Sequence, residues 1–461
     1  MLDIILIIIL IFLINFIVIY LLKKYGIFKK YNITNFGPII MWRTKRGRKF
    51  LDKLSQRRTF WRLYGNFAIL ICTLGMFFMF LTVILGAYTA VTIPTEPVPI
   101  QNVLVLPGIN PIIPLWYGII ALAIGIIIHE FSHGILARLA KIKVKSLGLL
   151  LCIIPIGAFV EPDEKEIENV DKWSRSRIFA VGPTSNIVFG LICAAIFSWV
   201  FMASLAPIQD GVLIQNVTEN YPAEAAGIEP GMILTELEYI DNNGTILEDE
   251  KIKSYSDFSD FMDKRNSNDT LTLTVYFKHR TIQFDNVTLA DRYDLTSNEE
   301  DRGDGFLGVG GLGAEDFVDS LAYPVQSAGN DVGKRRLNIA QYFFLPMQTS
   351  IMPFHSPVID AYEVTGPLSI LPTSIFWALA NIFFYLFWIN LLLGIFNALP
   401  AVPLDGGYVF KDELTAVLER TKPGLTKEER TRVINQLSFS LAFSILIMFF
   451  MIILGPYFLA L

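Results

Sequence analysis

The chain has 461 residues, of which 53% are hydrophobic and only 18% charged, with 36 phenylalanines and a net charge of -5. Soluble domains carry about 25% charged residues. The balance therefore excludes an ordinary soluble enzyme, a disordered chain and a nucleic-acid binder, and places the protein in a lipid bilayer.

A helix crossing the hydrocarbon needs about 20 mostly apolar residues. The first such run, Leu2 to Leu22, lacks a basic start and a small-residue cleavage site, so a retained anchor is expected. The following loop, Lys23 to Arg62, holds Arg43, Lys45, Arg46, Arg48, Lys49, Arg57 and Arg58 against Asp52 alone, which makes it cytoplasmic. A second span, Asn66 to Val91, leads to a loop without Lys or Arg, and a third, Ile112 to Leu139, returns to Arg138, Lys141, Lys143 and Lys145. The stretch Ser146 to Val160 is short and broken by Pro155 and Gly157. It is expected to enter the membrane and return as a β-like hairpin, buried in protein or facing a water-filled cavity. Further spans are expected at Ile178 to Leu205, Thr373 to Phe396 and Ser438 to Leu461. Alternation gives a multi-pass plasma-membrane protein of about six spans. Both termini and the large polar segment from Ala206 to about Tyr362 then lie outside, and the end of the third span is cytoplasmic. Cys72, Cys152 and Cys193 lie in apolar runs without paired spacing, and are read as packed bystanders.

Within the third span stands His129-Glu130-Phe131-Ser132-His133, an H-E-x-x-H pattern. A four-residue step returns to nearly the same helix face, so both imidazoles can hold one zinc ion. Glu130 lies beside them, where it can take a proton from the attacking water and pass it to the leaving nitrogen. Such groups inside an apolar span cost several kcal/mol unless something compensates, and a bound dication does so. A catalytic zinc site takes three protein ligands. The candidate third is Asp405, the sole acid between Thr373 and Phe410, in a turn with Pro400 and Pro403 before it and Gly406 and Gly407 after it.

H-E-x-x-H in one span, with N-x-x-P-x-x-x-L-D-G-G near the end of another, resembles the site-2 protease family of intramembrane zinc metalloproteases. Gly182-Pro183-Thr184-Ser185-Asn186 is similar to that family's G-P-x-x-N element. Pro155 to Phe159 matches its inserted hairpin, and Gly366 to Ile370 its Gly-Pro element. The resemblance implies His129, His133 and Asp405 as zinc ligands and Glu130 as the catalytic base. It also matches Asn186 and Asn397 to asparagines able to hold substrate backbone or the developing oxyanion. For Asn186 a helix-helix hydrogen bond stands as an equal alternative. A transmembrane substrate must unwind to be cut, and the strand edge around Gly157 offers replacement hydrogen bonds.

In the polar segment, Gly211 to Val217 alternates like a strand, and Pro222 to Leu234 resembles the core of a PDZ domain. Gly305-Phe306-Leu307-Gly308 follows that core where the carboxylate-cradling loop would normally precede it. This implies a circularly permuted α+β PDZ-like domain from about Asp210 to Phe317, able to bind a chain terminus. The expected partners are a transmembrane protein substrate, membrane lipid and such a peptide terminus, with no nucleic acid. Two rival readings remain at this stage: a membrane protease acting on prenylated chain ends, whose third zinc ligand is a glutamate, and a catalytically silent adaptor working through the PDZ-like domain.

Overall fold

The computed structural model describes residues 2–31, 33–45, 47–94, 99–103, 106–152, 154–241, 244–324, 344–347 and 352–459. The chain divides within two helices into one unit of Met1–Ile192 and Tyr385–Leu461 and a second of Cys193–Phe384.

In the first unit α1 (Leu2–Lys24) ends on Lys23 and Lys24, and the basic loop after it is not irregular. It contributes two strands, β1 (Ile33–Phe36) and β2 (Ile39–Thr44), and a helix, α2 (Arg48–Ser55). Gly37, with φ of 55°, permits the tight reversal between the strands. Then come α3 (Arg58–Thr92), α4 (Leu115–Leu139), strands β3 (Val144–Cys152) and β4 (Ile154–Pro162), and α5 (Lys172–Ile196). The expected hairpin is thus present as β3 and β4. It forms half of a four-stranded antiparallel sheet in the order β1-β2-β3-β4, so β4 is an outer strand. After α6 (Thr373–Asn397), α7 (Asp405–Thr421) and α8 (Lys427–Leu459) complete the unit.

Among the described residues five helices are long and apolar enough to cross a membrane: α3, α4, α5 with its continuation to Ser204, α6 and α8. The sixth expected span, Leu2 to Leu22, is helical within α1, though most of its N-terminal side chains lie outside the described residues. These helices expose large apolar side chains along their lengths, Phe77, Phe78, Leu81, Leu191, Phe439 and Phe450 among them. Aqueous surfaces seldom carry such continuous apolar faces, whereas lipid covers them. The core that positions the site joins Leu51 of α2, Ala68 and Cys72 of α3, Ile135 of α4, Val160 of β4, Val181 of α5 and Val409 of α7. Cys72 and Cys193 are buried free thiols, as packed bystanders should be; the Cys152 side chain lies outside the described residues.

The second unit carries β5 (Val212–Val217), β6 (Ile233–Ile240), β7 (Ile246–Lys251), β8 (Thr270–Phe277), β9 (Arg280–Thr288) and β10 (Val309–Gly313). They form an antiparallel sheet in the order β9-β8-β6-β5-β10, with β7 also paired to β6. The alternation of Leu271, Leu273 and Val275 with polar residues places one face of β8 in the core with Leu234, Leu237 and Phe261. A helix, Tyr255–Met262, starts at a capping box made by Ser254 and Asp257 and packs beside β10. His279 sits in the two-residue turn between β8 and β9 with φ of 62°. From about Gly333 to Pro372 the chain mixes aromatic and polar residues, as expected of a connector along the outer membrane interface; of this stretch 333–343 and 348–351 lie outside the described residues.

Candidate metal centre

The apolar register of α4 turns His129 and His133 to the same side, with their rings 4.7 Å apart. A tight structure delivers Asp405 to them from far along the chain. Helix α6 ends at Asn397, the segment through Pro400 and Pro403 reverses, and Asp405 is the first residue of α7. The two glycines after it are required by close packing. A Cβ on Gly406 would stand 2.0 Å from the Ala398 carbonyl oxygen, and one on Gly407 would stand 2.5 Å from the Val402 nitrogen. No side chain fits at either place. Asp405 therefore opens a helix instead of decorating a solvated turn.

Asp405 Oδ2 lies 3.0 Å from His129 Nε2 and 3.3 Å from His133 Nε2, with the three side chains only 12 to 15% exposed. Donor atoms of all three fall within 4.8 Å of one another. Ligands about 2.0 to 2.1 Å from a zinc ion at tetrahedral angles are about 3.4 Å apart, so this donor set fits that ion. The His133 tautomer is also set for it: Nδ1 lies 2.6 Å from the Ile178 carbonyl, to which it donates, leaving Nε2 as the free lone pair facing Asp405. Glu130 points to the strand beside this cluster, where its Oε2 accepts the Val160 N–H at 3.1 Å.

Helix α5 closes the opposite side. A Cβ on Gly182 would lie 2.3 Å from His133 Nε2 and 2.8 Å from His129 Cε1, so a residue without a side chain is needed where the helix crosses the histidines. One turn on, Asn186 is fully buried, and neither atom of its amide has a protein partner among the described residues. Asn397 differs: it is half-buried and donates to the Leu393 carbonyl of its own helix at 2.9 Å. Gly157 is buried in β4 opposite Leu150. The Val160 N–H points away from β3. By the alternation of an antiparallel ladder Ala158 shares that outward side, and Gly157 turns its N–H toward β3. The outward edge is thus carried by Ala158 and Val160, the latter with its N–H given to Glu130, one residue over from the glycine that marks the hairpin in sequence.

Two further contacts were not apparent from the motifs. Asn390 in α6 is fully buried, donates to the Leu386 carbonyl at 2.8 Å, and leaves its Oδ1 without a partner among the described residues. A Cβ on Gly125, one turn before His129, would stand 2.9 Å from that oxygen. Its signal was an amide in the middle of an apolar span. The other is an anchor for α7. Arg175 of α5 forms a two-pronged ion pair with Asp412, which also accepts the Ser176 hydroxyl at 3.2 Å. Burial pushes the Asp412 carboxyl upward and the Arg175 guanidinium opposes that shift.

The profile of Peptidase family M50 matches residues 117–445, which take in α4 through most of α8. The chain belongs to Peptidase family M50. An uncharacterized protein of Methanocaldococcus jannaschii is 28% identical to this M50 member over 416 residues, covering 89% of this chain and 85% of that one. A Clostridium acetobutylicum protein named as a "Putative zinc metalloprotease" is 25% identical over 325 residues, covering 63% of this chain and 84% of its own. A Vibrio cholerae protein with the same descriptive name is 31% identical over 145 residues, covering 25% of this chain and 30% of its own. As an M50 peptidase with five membrane-length helices among the described residues, the protein is a multi-pass membrane metalloprotease.

Proposed function

We propose that this protein is a zinc endopeptidase that hydrolyses a peptide bond in the transmembrane segment of another membrane protein. The observation that carries the reading is the convergence of His129, His133 and Asp405 between apolar helices, beside a glutamate and the free edge of a β-strand. His129, His133 and Asp405 are the residues that would hold zinc, which supplies Lewis-acid polarisation of the scissile carbonyl and acidification of water. Glu130 accepts a proton from the attacking water and delivers it to the leaving nitrogen, so one C–N bond breaks as one C–O bond forms. Val160 N–H holds that carboxylate in place before substrate arrives.

The substrate helix has to give up its internal hydrogen bonds to expose a carbonyl. Strand β4 offers the outward backbone groups of Ala158 and the Val160 carbonyl in exchange, on the side where Glu130 lies, so an extended substrate added there runs past the catalytic base. Asn186, buried with an unpartnered amide one turn from Gly182, is suited to take a substrate backbone group or the developing negative charge.

The second unit supports a PDZ-like reading as a circular permutation. Strand β10, last in sequence, is the outer neighbour of β5, and the Gly305 to Gly308 loop leads into it. Its other edge, unpaired among the described residues, with the Tyr255–Met262 helix beside it, forms a groove suited to an extended chain terminus. In this reading the unit lies outside the cell and screens substrates, and the α4 end bearing His133 faces the cytoplasm. The third ligand being an aspartate in L-D-G-G disfavours the prenyl-protein protease, and the complete four-residue site disfavours a silent adaptor. The test compares wild type with Glu130→Gln on a model transmembrane substrate in detergent, with zinc measured in both. Loss of cleavage with zinc retained supports the reading; equal cleavage ends it.

A further inference from the structure

Apart from the metal centre, the first unit holds a cavity of about 420 Å³ where the Ile27–Lys30 helix meets the β1–β2 hairpin. We propose that it binds a phosphate group, supplied by the headgroup of an anionic membrane lipid. Lys29, Arg43 and Lys45 line the cavity with the hydroxyls of Thr34 and Ser146, and no carboxylate is among its lining residues. Arg43 is already oriented: Nη1 donates to Thr34 Oγ1 at 3.0 Å, and Nε stands 3.6 Å from Glu161, which offsets part of its charge. Lys29 and Lys45 have no such offset, since neither forms an ion pair among the described residues. Two cations are thus left facing a recess of the size that takes a small polar ligand. The Thr34 hydroxyl, which accepts from Arg43, supplies a neutral donor of the kind that completes a phosphate site, while the Ser146 hydroxyl donates to Glu161 at 2.5 Å.

A free phosphate and a lipid phosphate share this chemistry, and the position of the cavity favours the lipid. Helix α1 exposes Leu13, Ile14, Phe16, Ile17 and Leu21 and then ends on Lys23 and Lys24, so the apolar surface stops a few residues before Lys29. Phe28, also lining the cavity, packs with Ile19 of α1 and Ile40 of β2 and ties the recess to the end of that apolar helix. A basic recess next to such a helix end lies at headgroup depth, where anionic lipid is concentrated and acyl chains can follow the exposed α1 face. The occupied site would pin the β1-β2-β3-β4 sheet to the bilayer surface.

The test uses the full chain in detergent, titrated with phosphatidylglycerol, phosphatidylcholine or inorganic phosphate and read by native mass spectrometry. Wild type is expected to bind phosphatidylglycerol in preference to phosphatidylcholine. The Lys29→Gln/Lys45→Gln variant should bind it about 25-fold more weakly, from about fivefold for each lysine. Lys29→Arg/Lys45→Arg should restore binding, and Lys422→Gln, on an exposed lysine outside the cavity, should not change it. Circular dichroism and zinc content report whether the double variant folds; if it does not, Lys45→Gln alone carries the test with a fivefold expectation. Unchanged affinity in the glutamine variants, or no preference for phosphatidylglycerol, overturns the proposal. Inorganic phosphate binding as tightly as the lipid overturns the lipid assignment.

Discussion

Gly182→Ala is the most revealing single-methyl change, because two physical effects predict opposite signs for it. Within a helix, replacing glycine by alanine favours the folded backbone by about 1 kcal/mol. Here the added methyl would stand 2.3 Å from His133 Nε2 and 2.8 Å from His129 Cε1, against about 3.4 Å for ordinary contact. Either ring would have to retreat by about 1 Å. His133 cannot do so freely, since its Nδ1 is tied to the Ile178 carbonyl and its Nε2 faces Asp405. Displacements of about 1 Å at a reacting centre cost about a hundredfold in rate, and disturbed ligand orientation costs about 10- to 100-fold in metal affinity. The assay is zinc retention against a graded chelator, with thermal unfolding in parallel. Gly182→Ala should lose zinc at about 10- to 100-fold lower chelator strength while the apo-protein melts no lower than wild type. Gly75→Ala in α3, whose methyl would meet Ala398 Cβ at 3.4 Å, should leave zinc retention unchanged. Zinc retention and turnover at wild-type levels in Gly182→Ala would refute the packing argument.

Proline substitution separates the two sides of β4. Ala158→Pro removes an outward N–H and should lower transmembrane-substrate cleavage about five- to tenfold with zinc content and melting temperature unchanged, consistent with the loss of about one hydrogen bond; Gly157→Pro removes an inward one and should lower the melting temperature as well. Undiminished cleavage by Ala158→Pro counts against substrate addition at this edge. Asp412→Asn weakens the ion pair that ties α7 to α5, two turns beyond Asp405, and leaves Arg175 without its countercharge. It should destabilise the protein by about 2 to 3 kcal/mol in urea denaturation, the low side of a buried pair because Arg175 is partly exposed. Gly406→Ala would press a methyl to within 2.0 Å of the Ala398 carbonyl oxygen, so it should fail to retain zinc and melt well below wild type, as followed by metal analysis and calorimetry.

The membrane helices and the metal cluster were legible in the sequence because their signals are local. Apolar runs of spanning length announce themselves, and polar groups such as His129, Glu130, His133 and Asp405 stand out within them. The hairpin was legible too, from Pro155 and Gly157 in a run too short to cross. The two strands β1 and β2 were not, because Ile33–Phe36 and Ile39–Thr44 are short and embedded among lysines and arginines whose charge dominated the reading. Which backbone groups β4 leaves free depends on register, and a one-residue change in register exchanges the two sides. That is why the edge fell at Ala158 and Val160 instead of Gly157. Asn390 has no motif around it, and its only mark in the sequence is the isolation of an amide within an apolar helix. Asp405 gave its identity away but not its place at the start of a helix, which only the contacts of Gly406 and Gly407 with the preceding turn reveal.

The claim that most else depends on is that His129, His133 and Asp405 hold one zinc ion. X-ray absorption at the zinc edge, with metal analysis of the purified protein and of His129→Ala, His133→Ala and Asp405→Ala, tests it directly. The account predicts about one zinc per chain, a nitrogen and oxygen shell at about 2.0 Å with the scattering signature of two imidazoles, and loss of the metal in each variant. A sulfur shell, or full zinc retention in the Asp405→Ala protein, would contradict it.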